Sequence, residues 1–212
     1  MRYGAGCPTL SIAPTLPRRL GNAATFLYFA LVPKTIEQLR SLLATPELPD
    51  LGPRARARTK SVPEIDSALA PLQLPAATRE LLRSLLLLWH DHLDASHTLS
   101  QGIENADGSF LHAIMHRREP DYWNSKYWWR RVGKHPCFAE ISRRGGELLD
   151  SSGDEALRRQ LLPRGEWDAF AFVDACEAVA EAPASPRGRW LRELQRVEAE
   201  VLLDYFLRDD AR

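Results

Sequence analysis

The chain has 212 residues, with 28 lysines and arginines against 28 aspartates and glutamates. That length suits one domain with a substantial core, and a net charge of zero excludes a general polyanion binder while leaving room for a local basic patch. Three cysteines, Cys7, Cys137 and Cys176, lie far apart with no C-x-x-C pair. This excludes a disulfide framework and a cysteine zinc site, and fits a reducing, cytoplasmic setting.

Residues 1–17 show no periodicity and are expected to be disordered, with a single helical domain over 18–212. The apolar run Ala23–Val32 is too short to cross a bilayer. Arg18-Arg19 precedes it in the manner of an export signal, but no small-residue cleavage site follows. Thr35-Ile36-Glu37-Gln38 reads as a capping box for an amphipathic helix to about Ala44. Residues 45–77 hold Pro46, Pro49, Pro53, Pro63, Pro71 and Pro75 and the basic run Arg54, Arg56, Arg58 and Lys60. They read as a long surface connection with one short helix, Val62–Ala70.

A long helix is expected over Ala76–Gln101. Asp107 would cap a helix running to Arg118, stopped by Pro120. A shorter helix over Asn124–Val132 would end at Gly133. Further helices are expected at Pro136–Leu149, Asp154–Leu162, Glu166–Glu181 and Pro186–Arg208, the last with Ser185 as its cap. No run alternates with period two, and there is no internal repeat. The expected fold is all-α: a single-domain, irregular helical bundle with a central antiparallel helix pair.

Chemistry concentrates in Trp89–Phe138, which holds all six histidines and four of the six tryptophans. On a helix turning about 100° per residue, His90, Asp94 and His97 fall on one stripe, with Arg83, Leu86 and Leu87 before them and Gln101 after. His92 points the opposite way and is expected to be exposed. The next helix repeats the i, i+4, i+7 spacing with His112, His116 and Glu119. A short connection at Gly102–Ala106 makes the two helices antiparallel neighbours, with His97 level with His112.

Buried imidazoles and carboxylates must be paired or coordinated. A divalent transition metal, Zn, Fe or Mn, would satisfy Asp94, His97, His112 and His116 as ligands. His90 or Glu119 would then be the general base or a partner behind the ligands. Asp94-x-x-His97 and His116-x-x-Glu119 echo the acid–histidine spacing of helical di-metal proteins, with fewer carboxylates. The same groups can instead satisfy one another by hydrogen bonds without metal, and that alternative stays open.

Arg117 to Lys134 carries six basic and two acidic residues interleaved with aromatics. Arg117, Arg118, Arg130 and Lys126 would grip an anion, while Tyr122, Trp123 and Trp128 offer faces and Asn124 a hydrogen bond. The bland alternative places the aromatics in the core and the arginines in ion pairs. No nucleophile elbow, zincin helix, P-loop or dinucleotide fingerprint is present.

The string DGSFLHAIMHRREPDYWNSKYWWRRVGKHPCF, preceded by WHDHLDASH, resembles the signature of an uncharacterised family of bacterial and fungal helical proteins. The resemblance extends over Leu81–Phe206, including Glu166–Asp174 and Gln195–Phe206, and implies a shared site without naming its chemistry. The expected function is a small-molecule site, a metal-dependent hydrolase or oxygenase for an anionic or ring-bearing substrate. The alternatives are a metal-free ligand-binding or interaction module using the same pocket and, more remotely, single-stranded nucleic-acid binding through KYWWRR. No membrane partner is expected.

Overall fold

In a computed structural model of the chain, the structure describes residues 36–209, which belong to one compact unit. Thr35 and its capping box, the disorder expected over 1–17, and Cys7 lie outside the described residues. The helices are α1 (36–43), α2 (Val62–Leu69), α3 (Ala76–Trp89), α4 (Leu93–Gln101), α5 (Ala106–Arg118), α6 (Tyr122–Val132), α7 (Cys137–Ser152), α8 (Glu155–Leu161), α9 (Ala169–Ala178) and α10 (Pro186–Asp209). Among the described residues there is no strand, as the absence of period-two patterning implies, and no helix is long and apolar enough to cross a membrane. The all-α expectation therefore holds.

Local signals set most of these boundaries. Ser61 and Glu64 form a capping box at α2, the Ser61 backbone N–H donating to Glu64 Oε2 at 2.7 Å. Ser185 Oγ accepts from Gly188 N at 3.1 Å and starts α10 as expected. Three caps differ. Asn105, not Asp107, caps α5, its Oδ1 accepting from Gly108 N at 2.8 Å. Asp121 caps α6, which begins at Tyr122 rather than Asn124. Asp168 caps α9 and delays it to Ala169, after a 3₁₀ turn at Pro163–Gly165. Helix α7 runs on to Ser152, ending at Gly153 with φ 70°.

The long helix expected over Ala76–Gln101 is two helices. Helix α3 ends at Trp89 in a Schellman motif: the N–H of His92 reaches Leu87 O at 2.9 Å and that of Asp91 reaches Leu88 O at 3.3 Å. Asp91 stands at φ 68°, where glycine usually stands. Its carboxylate offsets that strain. Oδ2 accepts from the Arg56 backbone at 3.0 Å and from Arg56 Nε at 2.8 Å, and Oδ1 accepts from Arg118 Nη2 at 2.9 Å. The break lets α4 fold back along α3, where Ser96 Oγ donates to Ser84 O at 3.0 Å between fully buried serines.

The core is centred on α3, α5 and α10. Leu82, Leu85 and Leu86 of α3, Phe110, Leu111 and Ile114 of α5 and Leu194, Leu202 and Leu203 of α10 belong to one buried cluster, and α3 packs against both α5 and α10. Helix α5 is buried on every side from Gly108 to Arg118, the pattern of a central helix rather than a surface one. Gly108 permits its close start, since a Cβ there would meet Ile103 O at 2.2 Å. Five polar side chains, those of Ser109, His112, His116, Arg117 and Arg118, are thereby taken out of water, and burial favours a partner for each.

Candidate metal centre

The consecutive helices α4, α5 and α6 pack side by side, α5 against both neighbours. The tight α5–α6 turn, with Asp121 N bonding His116 O at 3.0 Å, brings α6 back along α5 as an antiparallel pair. Asn124 consequently lies against His116, and Trp128 against His112. Ser125, between them, donates to Ala113 O at 2.7 Å and fixes the register.

His97 of α4 meets both α5 histidines edge-on, at ring-centroid distances of 4.7 Å to His112 and 5.0 Å to His116. One ligand nitrogen from each of the three rings falls within 4.8 Å of the others. His112 Nε2 and His116 Nε2 stand 2.9 Å apart. Two imidazoles about 2.0–2.1 Å from one ion would have nitrogens about 2.9 Å apart at a right angle and about 3.3 Å apart at the tetrahedral angle of zinc, so the pair stands slightly closer than a tetrahedral ion would hold it. His116 Nδ1 lies 3.3 Å from Glu119 Oε2, a carboxylate contact that favours a proton on Nδ1 and Nε2 as the nitrogen facing the cluster. Asn124 Nδ2 sits 3.1 Å from the same Nε2.

Burial, reinforced by the neighbouring imidazoles, pushes His112 down to about 3 and His116 down to about 4. Both are therefore neutral near pH 7 and in the form that ligates. The surrounding charge is negative. Burial, together with Asp94 and Asp121, raises the Glu119 carboxyl. Among the described residues Glu119 and Asp121 pair with His116 and with no lysine or arginine. Two neutral buried rings, with His97 beside them and carboxylates nearby that pair with no lysine or arginine among the described residues, fit a divalent cation.

The expected site residues divide sharply. His97, His112, His116, Glu119, Asn124 and Trp128 come together. Asp94 does not join the three-histidine group; it is exposed on α4, near enough to Glu119 to influence it electrostatically. His90 belongs elsewhere, because the break at Asp91 takes it off the His97 stripe. Its Nδ1 accepts from Lys60 N at 3.2 Å and its Nε2 donates to Leu42 O at 2.9 Å, so both ring nitrogens serve to tie α1 and the proline-rich connection to α3. Gln101 is exposed, and His92 is half-buried with Nε2 2.7 Å from Lys60 O rather than freely solvated.

Arg117 and Arg118 are not anion-binding groups. Arg117 Nη2 donates to Glu198 Oε2 at 2.6 Å with both side chains fully buried, and its guanidinium covers the Phe172 ring at 4.3 Å. Arg118 is held by Asp91, by Leu88 O at 2.7 Å and by Gly52 O at 3.2 Å. Lys126 pairs with Asp174, and Arg130 lies over Phe170 at 6.0 Å. Tyr122 lines a separate cavity of about 270 Å³ with Cys176, Val179 and Pro183. Trp123 is 74% exposed. Sequence reasoning missed Asp91 and the Arg117 partners Glu198 and Gln195. These partners are distant in the chain, and no local spacing announces them. It also left Asp107 as a cap, whereas Asp107 Oδ1 holds buried His135 Nε2 at 2.8 Å.

The relocated His90 predicts a pH effect of its own. Burial, with Arg56, Lys60 and His92 nearby, lowers it from 6.5 to about 4. Between those values the unfolded chain binds a proton that the folded chain refuses, so stability falls as the pH drops below about 6.5 and levels off below about 4. The slope contributed is up to about 1.4 kcal/mol per pH unit. Urea midpoints at pH 7 and pH 5 measure it. His90→Gln should reduce the difference, and an unchanged difference would assign the acid sensitivity to other groups.

No family model, curated protein or solved structure matches the chain.

Proposed function

We propose that the chain carries a divalent-metal centre at His97, His112 and His116, with Glu119 behind His116, and uses it as a small-molecule site of the hydrolase or oxygenase kind. The observation that carries this reading is the convergence of three ligating nitrogens within 4.8 Å, two of them on neutral, almost fully buried rings. Imidazole ligands suit Zn or Fe better than Mn, which favours oxygen donors. Three protein ligands leave a position at which such an ion polarises a substrate or activates water.

The acidic rim and the engaged arginines favour a neutral or cationic substrate over the anionic one expected from composition. The resemblance to the bacterial and fungal family belongs to the same proposal, because the segment that carries it also builds the centre. The metal-free binding module remains the second reading, favoured by the Nε2–Nε2 contact, which one shared proton satisfies without an ion. Single-stranded nucleic-acid binding would rest on exposed Trp123 and Tyr127, with Lys126 already committed to Asp174.

Elemental analysis of protein purified without chelator or metal-affinity resin tests the proposal. About one Zn or Fe per chain is expected, with His112→Ala and His116→Ala purifying without it. Wild-type protein that is metal-free and takes up neither Zn²⁺ nor Fe²⁺ on dialysis would transfer the site to the metal-free module.

A further inference from the structure

A metal-bound imidazole is normally oriented through its second nitrogen, whose proton goes to a carboxylate, carbonyl or water. His116 has a carboxylate beside that nitrogen, Glu119 Oε2 at 3.3 Å from Nδ1. His112 does not. Its Nδ1 is buried and has no hydrogen-bond partner among the described residues, although the ring is 1% exposed. What sets its plane is an aromatic face. The Trp128 ring lies parallel to it at 3.9 Å between centroids, with 16° between planes. Arg131 lies on Trp128 in turn, its Cζ 5.2 Å from the ring centroid. The indole is itself fixed, because its neighbours Ser125 and Trp129 bind α6 to the core through the Ala113 carbonyl and the Phe110 ring.

Resting on the metal reading above, we propose that Trp128 is the positioning residue of the centre. It performs for His112, by stacking, the orienting task that the Glu119 carboxylate, 3.3 Å from Nδ1, performs for His116 electrostatically. The two α5 ligands are thus held by different physics. A carboxylate beside Nδ1 favours one tautomer and one ring orientation. A stack fixes the plane alone and offers no acceptor for the Nδ1 proton, which leaves His112 the less basic ligand. The aromatic interleaving of KYWWRR then has a local meaning: Trp128 turns to the imidazole, and the next tryptophan, Trp129, enters the core.

The test uses Co²⁺ as a probe, with affinity measured by competition against a chromophoric chelator and geometry read from the visible absorption band. Trp128→Leu is expected to bind Co²⁺ about tenfold or more weakly, in the range seen when a ligand-orienting partner is lost, and to change the band. Trp128→Phe, which restores an aromatic face, should recover most of the affinity and the wild-type band. Wild-type affinity and band in Trp128→Leu, with no binding by His112→Ala, would overturn the positioning role while leaving the metal centre intact. Absence of Co²⁺ binding by the wild-type chain would remove the metal reading itself, which that arm alone reveals. If Trp128→Leu does not fold by circular dichroism, the comparison passes to Trp128→Met and Trp128→Phe. Weaker binding by Met than by Phe supports the stack, and equal binding by both overturns it.

Discussion

Chelator lowers the melting temperature of the wild-type protein and leaves that of His112→Ala unmoved. The expectation follows from mass action. An ion held only by the folded chain stabilises it by about 4 kcal/mol when its free concentration is a thousand times its Kd. For a chain of this size that is a fall of roughly 8–16 °C when the ion is removed. His112→Ala removes a ligand nitrogen together with its contact to His116, so the ion no longer distinguishes folded from unfolded chain. If hydrogen bonds alone hold the cluster, chelator changes nothing in either protein, and His112→Ala still melts lower through loss of the stack on Trp128 and the bond to His116. Identical wild-type curves with and without chelator, on protein never exposed to one, would therefore decide against the ion.

The sequence made the helices legible because their signals are local: the Ser185 cap, the Gly133 stop and apolar periodicity. It also made the meeting of His97 with His112 legible, since a short connection between helices forces neighbours to face. What it concealed was long-range. Asp91 occupies a left-handed position that ordinarily asks for glycine, and it does so because Arg56 and Arg118 approach from 35 and 27 residues away. Missing that break left His90 on the wrong stripe, and a metal ligand shell was extended to Asp94, which the fold leaves exposed. The site survived the error because its geometry depends on α4, α5 and α6, all of them downstream of the break.

The arginines show the same limit from the other side. Composition reads Arg117 and Arg118 as free cations beside a histidine cluster, whereas the fold spends both on burial. Their role yields the largest expected stability effect. Glu198→Ala should destabilise the protein by about 3–5 kcal/mol, because it leaves the Arg117 guanidinium charged and out of water with no counter-ion. Burial alone would lower Arg117, and Glu198 more than reverses it. Gln195 Oε1, at 3.4 Å, is too distant and too weak a dipole to replace a carboxylate at 2.6 Å. The paired apolar replacement Arg117→Met with Glu198→Leu should recover most of the loss, since two desolvation costs disappear together with one attraction. Urea denaturation of the three proteins measures this. A loss below about 1 kcal/mol for Glu198→Ala, the size of an exposed pair, would mean that the carboxylate is not what holds Arg117. The paired variant also separates scaffold from chemistry. If Arg117 only anchors α5 to α10, the paired variant keeps wild-type metal content, because no atom of either side chain belongs to the His97–His112–His116 group. Loss of metal in a paired variant that still folds and melts cooperatively would place Arg117 back in the site.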